Sequence, residues 1–242
     1  MQNRYAGDIG DFGKLGLLRA LQTSDLSEGI NWYLVPDEHN GDGRYVDYLE
    51  DDDYRACDEP LFRELKKIVD SGERNILALE TSSILKAQFY SESLDFSGLS
   101  GAERIERRKA WHEEALQRLK GVDVVFADPD NGLIVPSAAG KPKENKYVMP
   151  DELADYYHQN SSVIYYQHQA RRDDRFYIDQ HRKLIESPDF EGASGRGLKF
   201  TRVSLRYFFF IIHPHHEAAI ADALRAVSSS VWSQCFSPVD LS

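Results

Sequence analysis

Ile30-Asn31-Trp32-Tyr33-Leu34-Val35-Pro36-Asp37-Glu38-His39-Asn40-Gly41-Asp42-Gly43-Arg44-Tyr45 is the stretch that decides the fold. An apolar strand pattern (Ile30, Trp32, Leu34, Val35) breaks into a glycine turn. Gly41 and Gly43 allow positive φ and let the backbone approach a bound group with no Cβ in the way. In open α/β sheets such a turn lies at the carboxyl end of a strand, where ligands bind. A tight surface turn without a ligand is the competing reading of these residues taken alone.

Outward from this turn, apolar runs alternate with helical patterns, which predicts strand-helix-strand units and a mostly parallel sheet. Expected strands are Ile30–Val35, Asn75–Leu79, Val122–Ala127, Ser162–Gln167, Leu198–Val203 and Tyr207–Ile212. The last two are too close in sequence for a helical crossover, so one of them runs antiparallel. Expected helices are Asp11–Gln22, Pro60–Asp70, Ala102–Leu119, Pro150–His158, Asp173–Ile185 and His215–Val227. In the first, Phe12, Leu15, Leu18 and Leu21 recur at helical spacing, and Asp8 or Asp11 can cap its free amides. Pro214 suits the first turn of the last helix. The segment 136–146, with Gly140, two prolines and several charged side chains, is expected to be a mobile loop.

With 242 residues, 41% hydrophobic and 12% aromatic, the chain can bury a full core, and a single domain over 1–242 is expected. No run of about 18 apolar residues spans a bilayer. The first residues, Met1 to Asp8, carry no apolar signal-peptide core. A soluble, cytoplasmic protein with no membrane partner is therefore expected. Cys57 and Cys235 lack metal-ligand spacing and are read as reduced packing residues. The formal net charge of −11 opposes non-specific attraction to phosphate backbones, so an RNA or DNA substrate would need a local basic patch. Lys141, Lys143 and Lys146, with Arg171, Arg172 and Arg175, are the residues that could form one. The runs Glu50–Asp53 and Glu103–Arg108 read as solvated charge. His213, His215 and His216 read as a solvated helix start, since neighbouring helix positions do not converge on one metal.

Asp128-Pro129-Asp130-Asn131-Gly132 follows the apolar run Val122–Ala127. An Asp before Pro presents a carboxylate beside a carbonyl whose neighbouring nitrogen has no hydrogen to give. That is a surface of acceptors suited to an amino group. Asn-Gly is equally a good turn.

These residues, in order, resemble the large-subunit ribosomal RNA adenine-N6 methyltransferases. The matches are Ala6-Gly7 followed by Asp11 and Lys14; His39-x-Gly-x-Gly-Arg-Tyr45 after the first strand; and Asp128-Pro129 after a later one. The resemblance implies a Rossmann-like, mostly parallel twisted sheet with helices on both faces, an antiparallel C-terminal strand, and S-adenosylmethionine as cofactor. It implies Lys14 near the cofactor or substrate, His39 with the Gly41–Gly43 backbone around the methionine end, Ser82 beside the cofactor, and Glu92 on the ribose. Asp128 and Pro129 would accept from the target amino group. The family has Asp-Pro-Pro-aromatic at this turn, whereas here Asp130 and Asn131 replace the second proline and the aromatic, so the base-stacking ring is expected from elsewhere, with Tyr5 and Tyr166 as candidates. The strand that contacts the adenine ring is expected to be missing between Glu92 and Val122. His168, at the end of Ser162–Gln167, and Arg171 are candidate substrate contacts. A metal-dependent hydrolase or nuclease built on Asp128 and Asp130, with Glu80 or His168, and a non-catalytic binding module that keeps the fold are the alternatives.

Overall fold

A computed structural model describes residues 1–38, 41 and 43–241. Its main sheet has seven strands in the order β2-β1-β3-β6-β8-β7-β9. These are β1 (Glu28–Asn31), β2 (Gln88–Tyr90), β3 (Val124–Ala127), β6 (Ser162–His168), β7 (Ser194–Phe200), β8 (Arg206–Ile212) and β9 (Phe236–Pro238). The first four run parallel, while β8 pairs antiparallel with both β6 and β7. Short strands β4 (Gly132–Leu133) and β5 (Tyr147–Val148) form a separate parallel pair.

Alternation along the central strands sorts side chains onto two cores. Val124, Phe126, Phe208, Phe210 and Ile212 face one; Val125, Ala127, Tyr207, Phe209 and Ile211 face the other. Burial on both faces explains why these strands are apolar throughout instead of alternating with polar residues. The first core is covered by α1 (Ile9–Gln22), α3 (Glu59–Ser71), α4 (Ile76–Thr81) and α8 (Glu217–Ser229). The second is covered by α5 (Gly101–Arg118), α6 (Pro150–His158) and α7 (Asp174–Ile185). The fold is thus the expected Rossmann-like α/β arrangement, with helices on both faces and an antiparallel strand near the C-terminus. No helix among the described residues is long and apolar enough to cross a membrane.

Several expectations need correction. Asn75–Leu79 is helical: the Asn75 side chain caps α4 by accepting from Ala78 N, and Ile76 and Leu79 are buried while Leu77 is exposed, the spacing of one helical face. The pairing of β1 ends at Asn31, two residues before Tyr33, which adopts a left-handed φ of 45°. Val203, also left-handed at φ 62°, belongs to the turn between β7 and β8 and not to a strand. Pro214 lies in the turn before α8. His216 is buried and bonds Ser162 Oγ at 3.0 Å, and His213 stacks on Tyr157 at 3.8 Å, so these two are packed and not solvated, while His215 is exposed as expected. Arg108 is likewise buried, paired with Glu152 at 2.7 Å. It also donates to the carbonyls of Glu144 and Tyr147, and Asn145 donates to Leu94 O. The expected loop 136–146 is tied down at its C-terminal end by these bonds. Between Glu92 and Val122 the chain forms α5 and no strand, so β2 is the sheet edge.

Candidate active site

β1 and β3 are adjacent, yet the chain leaves β1 for β2 on the far side before returning to β3. The crevice beyond their carboxyl ends is therefore the switch point of the sheet, the position where open α/β folds bind ligands. Helix α1 begins there. Asp8 caps it, accepting from Gly10 N and Asp11 N at 2.7 and 3.0 Å. One turn on, Asp11 and Lys14 share a helix face by their three-residue spacing. Lys14 Nζ lies 2.7 Å from Asp11 Oδ1 and 2.5 Å from Asp128 Oδ2, with all three side chains buried. Burial alone would discharge Lys14, but Asp11 and then Asp128 more than offset it and hold the ammonium charged, its pKa above the ordinary lysine value. Burial also lifts the Asp128 carboxyl above its usual range, with Lys14 as the largest opposing influence.

The Asp128 turn is fixed by its backbone. Asp128 N donates to Asn31 O at 2.9 Å, and the Asp128 carbonyl accepts from the α-amino group of Met1 at 3.0 Å. Asn131 O accepts from Gln167 Nε2 at 2.8 Å and from His168 N at 3.3 Å. Gly132 sits at φ 108°, and a Cβ there would fall 2.2 Å from Gln167 Oε1, so the turn requires glycine. Asp130 points to a different set of groups: Gln2 Nε2 at 2.6 Å, the Met1 amino group at 2.8 Å and Lys146 Nζ at 3.7 Å. Burial works to raise its pKa, and these three partners reverse that, leaving it below the usual value. Asp128 uses Oδ2 for Lys14 and its carbonyl for the Met1 amino group, and Asp128 and Pro129 both border the cavity at this crevice.

A cavity of about 270 Å³ opens at this crevice. It brings together Lys14, Gly43, Asp128, Pro129, Asn131, Tyr5, Tyr166 and His168 from the sequence-based set. Because β3 and β6 are parallel, with Ala127 opposite Tyr165, His168 emerges on the same sheet edge as Asp128. Gly43, at φ 78°, is held against the N-terminal segment: a Cβ there would lie 2.6 Å from Arg4 O and 2.8 Å from the Tyr5 ring. His39 lies outside the described residues. Gly41 does not line the cavity, and Arg171, on the loop after His168, is exposed beyond it. Two residues are placed elsewhere. Ser82 ends α4, its hydroxyl donating to Leu79 O at 2.6 Å. Glu92 lines a second cleft with Glu80, Phe89, Glu114 and Arg118 beside edge strand β2. Of the expected basic patch, Lys146 is paired with Glu38 and faces Asp130, and Arg175 lies 3.9 Å from Asp179.

Sequence reasoning missed Asp8, Arg206 and Tyr45 as cavity residues. Burial, then Asp11, pushes the Asp8 carboxyl up to about 6, with Arg206 opposing. Arg206 is itself buried, its Nη1 donating to the carbonyls of Arg202 and Ser204 at 3.1 and 3.0 Å. Asp8 carried a signal only as a helix cap, and Arg206 carried none. Tyr45 was part of the quoted glycine block but had no role there. No group of three or more metal-ligating side chains converges among the described residues. Glu80, one of the ligands the hydrolase alternative called on, instead accepts from Trp32 Nε1 at 2.9 Å in the second cleft. No protein-family model matches the chain, and no curated protein matches it.

Proposed function

We propose that the protein is an S-adenosylmethionine-dependent methyltransferase acting on an amino group, with an adenine of nucleic acid as the substrate the family resemblance implies. The observation that carries this reading is the meeting of Gly43, from the glycine turn, with Asp128 and Pro129 across one cavity at the carboxyl edge of the sheet. Lys14, third in the same resemblance, is bonded to Asp128 there.

The donor set fits the methionine end of that cofactor. Arg206 offers a cation for its carboxylate and Asp8 a carboxylate for its ammonium, both at the cavity wall. A volume of about 270 Å³ suits that end and the reacting group but not the whole molecule. Ser82 and Glu92 are therefore left without a cofactor role. When bound, the cofactor supplies an electrophilic methyl group. The residues of this chain orient the nucleophile. Asp128 Oδ1 and the Pro129 carbonyl accept the two N–H bonds of the substrate amino group, which turns the nitrogen lone pair away from the protein. Lys14, on Oδ2, fixes the carboxylate plane and works against the burial that raises its pKa. Asp130 supports the turn through Gln2, Lys146 and the Met1 amino group.

The test is transfer of a labelled methyl group to adenosine-containing RNA, DNA, protein and small amines. Asp128→Asn, which keeps size and removes the charge, should lower transfer by at least 100-fold, on the order of what one positioned group contributes, while S-adenosylhomocysteine still binds. Transfer at the wild-type rate in this variant would overturn the assignment of Asp128.

A further inference from the structure

The turn lacks the aromatic ring that would hold a planar substrate, and three tyrosines line the cavity. Two are committed to other groups. Tyr5 has the Arg4 guanidinium over its ring at 5.0 Å, and its hydroxyl receives bonds from Gln2 and Arg4. Tyr166 packs edge-on against Phe208 at 6.1 Å. Tyr45 differs from both. It is 50% exposed, and its ring has no aromatic or cation partner among the described residues.

Its backbone, by contrast, is held on both sides. The Tyr45 carbonyl accepts from Ile9 N, a free amide at the start of α1, at 3.0 Å. Two residues earlier, Gly43 O accepts from Arg74, whose Nε also donates to Ala6 O at 2.7 Å. A ring carried on a held backbone and left half in water at a cavity mouth is placed for a partner, since the backbone has little ordering entropy left to lose on contact. A planar base offers the matching face.

We infer that Tyr45 is the stacking platform for the substrate's planar, amine-bearing ring, replacing the aromatic that Asn131 displaces from the Asp128 turn. The inference rests on the methyltransferase reading for the identity of the substrate, but not for the existence of the platform. Tyr45 positions the ring; Asp128 and Pro129 take its amino group.

The probe is 2-aminopurine riboside, a fluorescent purine with an exocyclic amino group, titrated into wild type, Tyr45→Phe and Tyr45→Ala. Wild type and Tyr45→Phe should bind and quench it alike. Tyr45→Ala should bind it about 5- to 150-fold more weakly, the range expected for loss of one stacked ring. Calorimetry with S-adenosylhomocysteine, run on the same three proteins, should give one affinity and so show that the alanine variant is folded. Equal probe binding by wild type and Tyr45→Ala, or no binding by wild type at millimolar probe, overturns the inference. Failure of S-adenosylhomocysteine to bind, with the Tyr45-dependent quench retained, would instead remove the methyltransferase reading and leave the platform standing.

Discussion

Lys14→Met tests the electrostatic centre of the site. The substitution keeps the length of the chain stem against Trp32, whose ring lies 5.4 Å from Nζ, and removes only the charge. It leaves Asp11 and Asp128 buried without their shared cation, which held them at 2.7 and 2.5 Å. Removing one partner of a buried pair costs about 3–5 kcal/mol, because the remaining charge is uncompensated. Against a typical stability of about 5–15 kcal/mol this is a large fraction, and in a chain of this size it lowers Tm by roughly 6–20 °C. The loss also depends on pH. Without Lys14 the Asp128 carboxyl loses the largest influence opposing its burial and rises further, so the native state binds a proton that the unfolded chain releases above about pH 4. The penalty is therefore largest at neutral pH and shrinks toward pH 4. Urea unfolding of both proteins at pH 7 and pH 5 measures this. A cost below 1 kcal/mol at pH 7, or one that does not shrink in acid, would refute the reasoning.

Glu28 is buried, one of its oxygens accepts from Gln22 and the other has no partner among the described residues, and burial pushes its carboxyl up to about 8. Between the unfolded value of 4.5 and about 8 the native state holds a proton that the unfolded chain lacks, so stability falls as pH rises, by about 1.4 kcal/mol per pH unit. Glu28→Gln should remove that slope and unfold at higher urea than wild type at pH 8; equal midpoints there would contradict it. Gly132→Ala should cost more than 1 kcal/mol, through its positive φ and the Gln167 contact, in the same urea assay. Under the metal-hydrolase alternative Asp128→Ala would abolish tight Mn²⁺ binding, whereas calorimetry is expected to find no tight binding in wild type either.

How much of this was legible differs by element. Helices announced themselves through caps and a 3.6-residue period, as with Asp8 before α1 and Asp173 before α7. Central strands did so through apolar runs buried on both faces. β2 was missed because three residues at a sheet edge carry no periodic signal, and α4 was misread because a short apolar run fits strand and helix alike until the cap is recognised. At the site, Lys14 and Asp128 were each visible as parts of motifs, but their direct bond was not. Asp130 found a role only in the hydrolase alternative because its partners, Gln2 and the Met1 amino group, are more than 120 residues away in sequence. Arg108 looked solvated for the same reason: Glu152 lies 44 residues on. Pairings across the sheet are set by tertiary contact, and local sequence does not encode them.

The most direct test of the methyltransferase account is binding of S-adenosylhomocysteine to the intact protein, read by calorimetry and by Tm. A ligand that binds only the native state raises Tm by mass action, by about 2.7 kcal/mol of stabilisation at a hundred times Kd. Wild type should show saturable binding with a raised Tm. Gly43→Val, whose branched side chain would strike Arg4 O and the Tyr5 ring at the cavity wall, should fold and lose that binding. No heat and no Tm shift at millimolar ligand in a well-folded wild-type sample would contradict the account.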